Sequence, residues 1–252
     1  MFFKRTSAAA LAMAMLLAPT LGVAQGDPPK ARPEARAADV KRPDPKRFDK
    51  QVDAYLQADK QSPPAPCSIA FLGSASIVAW KSIQTDLAPA PVYAHGLGAS
   101  TVEDQIYFFN KLATPYKPRA IFLYAGENDI VNGLEPAEVL ADMKTFMDLK
   151  TKELGATPVY YIAAKASPAR IEFAPRQQQA NDLVASLAKS RTDLHYIDVS
   201  HAMWQGGKLF GSLRPIFVAD GIHLNPEGYS IWTRIIKPYV DKEAARKNAC
   251  KA

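Results

Sequence analysis

The stretch FLGSASI, residues 71–77, decides the interpretation of this chain, because an apolar run reaches Gly-Ser-Ala-Ser and then takes on helical residue types. Its first part belongs to SIAFLG, residues 68–73, which is short, apolar and ended by glycine, as expected of a buried strand. A turn from strand to helix is a place where enzymes mount a nucleophile. The centre of this turn is nevertheless an alanine, Ala75.

Similar apolar runs recur along the chain, and segments with helical spacing of apolar residues separate them. The further runs are PVYA (91–94), AIFLYAG (120–126), PVYYIAA (158–164) and LHYIDV (194–199). Strands that alternate with helices predict a parallel sheet covered on both faces, here a five-stranded, three-layer α/β/α domain. Right-handed crossovers bring all carboxyl ends of the strands to one edge, where we expect the ligand site.

Helices are predicted at both ends of this domain, which we place at residues 48–252. The segment FDKQVDAYLQADK, residues 48–60, has one apolar helical face. The last helix is predicted from Pro226 to Ala245, with Asn225 as its N-cap and proline at the first helical position.

The N-terminus has the pattern of a secretory signal peptide over residues 1–24. Lys4 and Arg5 precede an apolar stretch from Ala8 to Leu17, which is too short to span a bilayer. A buried N-terminal helix is the alternative. No later segment is apolar for long enough to cross a membrane, so we expect a periplasmic or secreted protein without a transmembrane segment.

Residues 25–47 contain five prolines and few apolar residues, which predicts a disordered linker. Most of the net charge of +6 lies before residue 51, and residues 51–252 carry only +1. The folded part therefore lacks the basic excess that a nucleic-acid partner would require. A linker that touches anionic lipid or cell wall is an alternative to a solvated spacer.

The two cysteines, Cys67 and Cys250, stand just before the first strand and near the C-terminus. In an exported protein an even pair favours a disulfide, which would stabilise the fold by about 4 to 5 kcal/mol in the chain-entropy model. Two free thiols are the alternative, because sequence alone does not place the Cα atoms within bridging distance.

Four short segments fall at predicted strand ends or just before the last helix. In ADGIHLNPEGY, residues 219–229, Asp220 and His223 are close enough for one loop to present both side chains, and a carboxylate can orient an imidazole base. The alternative is that Asp220 only caps a turn and His223 is a surface residue.

In AGENDI, residues 125–130, Asn128 offers an amide donor for an oxyanion, or is an ordinary turn asparagine. The other two segments are Gly73–Ser76 and HGLGAST, residues 95–101, whose glycines allow close backbone approach.

In this order and spacing, FLGSASIVAW, HGLGAST, YAGENDI and DGIHLNPEGY resemble the blocks of the SGNH (GDSL-type) hydrolases. The resemblance covers about Phe48 to Tyr239 and is strongest to a bacterial esterase-like branch whose first block reads Gly-Ser-Ser-Ser-Ile. It implies a flavodoxin-like three-layer fold and metal-free serine hydrolysis of esters. It also implies that His223 is the base, Asp220 its partner and Asn128 the oxyanion donor, with Gly126 before it.

Two positions depart from the family pattern. The nucleophile position falls on Ala75, which has no hydroxyl, and the oxyanion glycine falls on Ala99, directly after Gly98. Ala99 still has a backbone N–H, which can donate if the backbone there suits alanine. Loss of the nucleophile costs several orders of magnitude in rate.

Three explanations for Ala75 remain open: Ser74 or Ser76 attacks instead, a native serine has been replaced to trap substrate, or the chain is a natural non-hydrolytic member. The leading hypothesis is an exported hydrolase of small esters or acetyl esters. The rival is a pseudoenzyme that binds an acylated glycan or cell-wall fragment.

Three residues of KASPAR, residues 165–170, are candidates to line the mouth for an anionic or sugar substrate, or belong to a solvated loop: Lys165, Ser167 and Arg170.

The sequence contains no GxGxxG, no P-loop and no clustered His and Cys with zinc spacing. We therefore expect neither a cofactor nor a metal site. The expected partner is a small-molecule or glycan ester, and the oligomeric state is left open.

Overall fold

A single sheet of five parallel strands forms the centre of the computed structural model, which describes residues 42–247 and 249–250. The strands are β1 Ile69–Gly73, β2 Val92–Gly96, β3 Ala120–Tyr124, β4 Val159–Ile162 and β5 Leu194–Ile197. Their order in the sheet is β2-β1-β3-β4-β5 and all neighbours are parallel. This is the flavodoxin-like order, so the predicted fold class is confirmed.

Nine α-helices occur in the described residues, and they connect or flank the strands. They are α1 Asp49–Gln61, α2 Ala75–Ala79, α3 Ile83–Asp86, α4 Val102–Tyr107, α5 Phe109–Leu112, α6 Glu127–Val131, α7 Pro136–Leu154, α8 Ala174–Lys189 and α9 Pro226–Ala245. The last helix has the predicted bounds, and the Asn225 side chain caps it by accepting from the Gly228 N–H. Short 3-10 helices lie at Pro45–Phe48, Thr114–Tyr116, Pro168–Phe173, His201–Met203 and Gln205–Gly207.

Alternating side chains of the buried strands enter two separate cores, one on each face of the sheet. On one face Ile69 and Phe71 pack with residues of α2, α3 and α9, including Trp232. On the other face Ala70 and Leu72 pack with residues of α1, α4, α5, α7 and α8. Because both faces of the sheet are covered, the strands read as continuous apolar runs in the sequence.

The structure differs from the predicted elements at some boundaries. The segment between β2 and β3, where the sequence has helical spacing of apolar residues, is divided between α4 and α5, and this break lets the adjacent Phe108 and Phe109 both be fully buried. At the N-terminal side, ordered structure begins before residue 48: a 3-10 helix starts at Pro45, and the Arg42 guanidinium lies 2.5 Å from the Asp142 carboxylate.

Cys67 and Cys250 form a disulfide, with 5.8 Å between their Cα atoms. The bond joins the segment before β1 to the chain beyond α9. Close to it, Arg119 and Arg246 each donate to the backbone carbonyl of the other.

The predicted signal peptide and residues 25–41 of the predicted linker lie outside the described residues, so both stay predictions. Within the part of the chain that the structure describes, no helix has the length and apolar character needed to cross a membrane.

Candidate active site

The candidate site lies at the carboxyl edge of the sheet, beside the neighbouring strands β1 and β3. The chain passes from β1 to the edge strand β2 on one side and returns to β3 on the other. Strand order reverses at this point, and in open α/β sheets ligands bind in the crevice that such a reversal creates.

The turn after β1 is held tightly against β3. Gly73 has a φ of 132°, and a Cβ atom at this position would lie 2.1 Å from the Tyr124 carbonyl oxygen. The next residue, Ser74, donates its backbone N–H to that same oxygen over 2.9 Å. Helix α2 then starts at Ala75, which is half-buried. The turn therefore has the shape that mounts a nucleophile, and a methyl group occupies its centre.

The two flanking serines are both buried but have different surroundings. Ser74 is the N-cap residue of α2, and its hydroxyl makes no capping hydrogen bond. Ser76 lies against the Tyr124 phenol: burial and the Glu127 carboxylate raise the pKa of that phenol, whereas the Ser76 hydroxyl acts in the opposite direction. The Ser76 carbonyl accepts from the Tyr229 hydroxyl over 2.9 Å.

Asp220 and His223 form a dyad within one turn. The Asp220 Oδ2 atom lies 2.6 Å from His223 Nδ1, and Oδ1 accepts the backbone N–H groups of Ile222 and His223 over 2.8 and 2.9 Å. These hydrogen bonds, first of all the one from the His223 side chain, lower the pKa of Asp220. Since an ionised carboxylate accepts the Nδ1 proton, Nε2 is the ring nitrogen left to act as a base.

The dyad turn is shaped by Gly221 at φ 65° and closed by a hydrogen bond from the Val218 N–H to the His223 carbonyl. The Ala169 N–H donates to the Gly221 carbonyl over 3.1 Å. The loop after β4 thus packs directly against the turn that carries the dyad.

Asn128 lies in the first turn of α6 and is buried. Its Nδ2 atom donates to the Ser100 carbonyl over 2.9 Å, and its Oδ1 atom accepts from Arg170 over 3.0 Å. Gly126 precedes it at φ 99°, and a Cβ atom there would lie 2.7 Å from the Tyr161 hydroxyl oxygen. The amide is therefore held by partners on both sides.

The carboxylate of Asp129 connects the AGENDI block to the first residue of α4, directly after HGLGAST. It accepts the N–H groups of Gly126 and Val102, each over 3.0 Å. Burial raises the pKa of Asp129 to about 7, although its backbone hydrogen bonds act in the opposite direction.

Ala99 adopts a backbone conformation that alanine rarely takes, with φ at 61°. Glycine reaches this region at no steric cost, which agrees with the glycine that the sequence resemblance implies at this position. Within residues 42–247 and 249–250 the Ala99 N–H has no hydrogen-bond acceptor. Gly98, the other predicted oxyanion residue, instead directs its N–H to the Gln51 side chain over 3.4 Å and does not line the pocket.

The prediction that Lys165, Ser167 and Arg170 line the mouth of the site is wrong for two of the three. Lys165 and Ser167 are fully buried, and the Lys165 Nζ atom lies 3.1 Å from the Glu127 carboxylate. A buried ammonium needs such a partner, and Glu127 holds it beneath the site. Arg170 does line the pocket, with one-fifth of its side chain exposed.

Sequence reasoning missed Glu127, which lines the pocket although it is almost completely buried. Burial alone would raise its pKa, but Lys165, the Tyr124 hydroxyl and Arg170 together lower the pKa of Glu127. No sequence signal marks Glu127, because the burial of Lys165 that calls for a carboxylate partner is visible only in the structure.

Nine residues from these segments surround one pocket of about 70 Å³. Its lining is Ser74, Ala75, Ser76, Ala99, Glu127, Asn128, Arg170, Ile222 and His223. Pockets for drug-sized ligands measure about 300–1,000 Å³, so this one suits a small group.

A larger cavity of about 530 Å³ lies along the edge strand β2. The buried His95 lies there with its Nε2 atom 3.1 Å from the Asp59 carboxylate, and burial lowers the pKa of His95. None of the residues singled out in the sequence as site residues lines this cavity.

This chain belongs to the GDSL-like lipase/acylhydrolase family, which matches residues 68–231. The family comprises ester hydrolases, in agreement with the resemblance seen in the four sequence blocks. A search of the curated proteins finds no match to the chain.

Solved structures share the fold at low sequence identity. A candidate platelet activating factor from Streptococcus pneumonia has a TM-score of 0.67 at 18% identity, over 77% of this chain and 93% of that one. A GDSL-like lipase from Bacteroides thetaiotaomicron has a TM-score of 0.60 at 19% identity, over 79% and 98%. A catalytic mutant of an acetylxylan esterase from Geobacillus stearothermophilus has a TM-score of 0.55 at 14% identity, over 72% and 97%.

Proposed function

We propose that this protein is an exported carboxylic ester hydrolase for small acyl esters, acetyl esters above all, which works through a serine, His223 and Asp220. One observation carries the proposal: the dyad, with 2.6 Å between its heteroatoms, opens onto the same pocket as Asn128 and the turn after β1. A base, its orienting acid and an oxyanion donor are the groups that acyl transfer requires.

The preference for a small acyl group rests on the volume of the pocket. A space of about 70 Å³ accommodates a group of a few heavy atoms but not a long acyl chain. The structural likeness to an acetylxylan esterase is compatible with this size class.

For the nucleophile we propose Ser74. Ser74 and Ser76 both line the pocket, but the Ser74 hydroxyl is not used to cap α2, whereas the Ser76 hydroxyl interacts with the Tyr124 phenol. The Ser74 oxygen attacks the ester carbonyl carbon while His223 Nε2 takes its proton, and the same nitrogen then protonates the departing alcohol. A water molecule, activated in the same way, releases the acyl group from the serine.

In this mechanism the negative charge that develops on the carbonyl oxygen is held by the Asn128 amide and the Ala99 N–H. Both residues line the pocket. Preorganised donors of this kind contribute roughly 3 to 4 kcal/mol to an acyl-transfer transition state.

A second candidate function is favoured by Ala75 itself. A methyl group stands where the family nucleophile falls, while the dyad and the amide are retained. This arrangement suits a protein that binds an acylated glycan or cell-wall fragment without cleaving it.

The test measures hydrolysis of p-nitrophenyl acetate and binding of acetylated sugars by the native chain, alongside its single variants. We expect turnover that falls at least about 100-fold in Ser74→Ala and in His223→Ala but persists in Ser76→Ala. His201→Ala is the matched control, because it removes an exposed imidazole that does not line the pocket. This change should leave the turnover unaltered. Equal rates in the native chain and Ser74→Ala would refute Ser74 as the nucleophile. Saturable binding without turnover would favour the second candidate.

A further inference from the structure

Arg170 connects the wall of the pocket to the amide of Asn128. It belongs to the 3-10 segment Pro168–Phe173 that follows β4. Its Nη1 atom donates to the Asn128 Oδ1 atom over 3.0 Å and to the Glu127 Oε1 atom over 2.7 Å. The catalytic role proposed above for Asn128 does not by itself explain this contact.

The contact fixes which end of the amide is available to a substrate. An Asn side chain can present either its oxygen or its nitrogen, and the hydrogen-bond partners decide the orientation. Here the oxygen accepts from a cation and one Nδ2 hydrogen is donated to the Ser100 carbonyl. The second Nδ2 hydrogen remains, and Asn128 lines the pocket.

We propose that Arg170 is a positioning residue for oxyanion stabilisation: it holds the Asn128 amide with its N–H toward the pocket and strengthens that N–H as a donor. A charge-assisted hydrogen bond to Oδ1 draws electron density away from nitrogen, because hydrogen bonds in series polarise one another. This inference rests on the proposed function, in which Asn128 holds the oxyanion.

Arg170 is itself held from below and from the side. Glu127 is buried and is also bound by Lys165 and by the Tyr124 hydroxyl, so its carboxylate is fixed beneath the guanidinium. The neighbouring Ala169 N–H donates to the Gly221 carbonyl in the dyad turn. One short segment therefore sets the position of the oxyanion donor relative to the base.

The kinetic test is a double-mutant cycle in an Ala75→Ser chain, which does not depend on the assignment of Ser74. We expect Arg170→Met to lower kcat about tenfold with KM nearly unchanged, because the lost stabilisation exists only in the transition state. In an Asn128→Ala chain the same Arg170→Met change should have almost no further effect. Equal proportional losses in both backgrounds would overturn the proposal, because a residue that only supports the fold acts independently of the amide.

Two variants separate positioning from general support. Arg170→Lys keeps a cationic donor and should recover part of the lost kcat. Arg176→Met removes an arginine of similar exposure that binds Glu135 and the Leu134 carbonyl away from the pocket, and should leave kcat unchanged. Arg170→Met leaves Glu127 paired with Lys165, so no buried charge is left without a partner.

A second measurement on the native chain does not require turnover. The side-chain amide signals of Asn128, assigned through their loss in Asn128→Ala, should be shifted downfield by the Arg170 hydrogen bond and move upfield in Arg170→Met but not in Arg176→Met. Unchanged signals would overturn the proposal. Native and Ala75→Ser chains that both lack turnover, while Arg170→Met still moves the amide signals, would refute the proposed function and leave the contact that positions the Asn128 amide standing.

Discussion

Two turns of this protein contain the same aspartate-histidine arrangement, and only one of them borders the pocket. In Asp198–His201, as in Asp220–His223, the Oδ2 atom bonds Nδ1 of the histidine three residues later, over 2.5 and 2.6 Å. In both turns the Oδ1 atom accepts the backbone N–H groups of the second and third residues after the aspartate.

The surroundings of the two histidines differ. His223 shares a pocket with Asn128 and the turn after β1 and is 33% exposed, whereas His201 is 48% exposed and lines neither of the two cavities described above. A DxxH sequence thus makes an oriented imidazole by local hydrogen bonds alone. The imidazole becomes a candidate base only where the tertiary structure places it in a pocket with other site residues, as it does for His223.

The largest expected effect comes from placing a hydroxyl at position 75, where the resemblance puts the family nucleophile, beside the pocket-side histidine. We expect Ala75→Ser to raise the rate of p-nitrophenyl acetate hydrolysis by roughly 10³-fold or more over the native chain. Adding His223→Ala to that variant should abolish the gain, and adding His201→Ala should not. If the two histidine changes have the same effect, the distinction between the turns is lost.

Removal of the disulfide is expected to affect both turns equally, because it acts on the whole fold. Cys67→Ser with Cys250→Ser should lower the free energy of unfolding by about 2–5 kcal/mol, as measured by denaturant titration. The rate of ester hydrolysis should be unchanged at denaturant concentrations where the protein remains folded. A selective loss of activity without loss of stability would contradict this expectation.

A buried carboxylate lies behind the pocket-side turn and gives a pH-dependent prediction. Since burial raises the pKa of Asp129 from 3.8 to about 7, the folded state holds this proton more tightly than the unfolded chain. Its contribution to stability is therefore present at about pH 4 and falls as the pH rises toward 7, by on the order of a few kcal/mol. The measurement is urea unfolding from pH 4 to 8.

Asp129→Asn serves as the reference for that experiment. Weaker hydrogen bonds to Gly126 and Val102 would lower the stability of Asp129→Asn at every pH. The two proteins are therefore compared by how much the free energy of unfolding changes between pH 4 and pH 8. Identical pH dependence in the two proteins would show that Asp129 does not titrate in this range.

The smallest expected effect concerns the backbone of the pocket. Ala99→Gly should stabilise the protein by about 1 kcal/mol, because a left-handed φ of 61° costs alanine about that much. Ala141→Gly, at an exposed position within α7, is the matched control and should destabilise by a similar amount. Relative to the native chain, the unfolding midpoint should rise in Ala99→Gly and fall in Ala141→Gly. A loss of stability in both variants would contradict the strain at Ala99.

Much of the fold and part of the site follow from local patterns in the sequence. The apolar runs predicted all five strands, and their alternation with helices predicted the parallel sheet and the edge at which the site lies. Asp220 and His223 could be recognised because their contact spans three residues.

Contacts between distant residues were not predictable in this way. Lys165 and Ser167 were assigned to a solvent-facing mouth because a loop composition does not reveal that Glu127, 38 residues earlier, binds the ammonium. Gly98 was assigned to the oxyanion site, but Gln51 in α1 takes its N–H. The conformation of Ala99 required coordinates, since the sequence gives the residue type and not its φ angle.

The bond between Cys67 and Cys250 makes a covalent ring of nearly the whole folded domain. Every strand and the residues around the pocket lie between these two cysteines. A single proteolytic cut inside the ring therefore leaves both pieces attached, so the nicked molecule separates by size only after reduction. In an environment rich in proteases, such a ring lets a damaged chain stay in one piece.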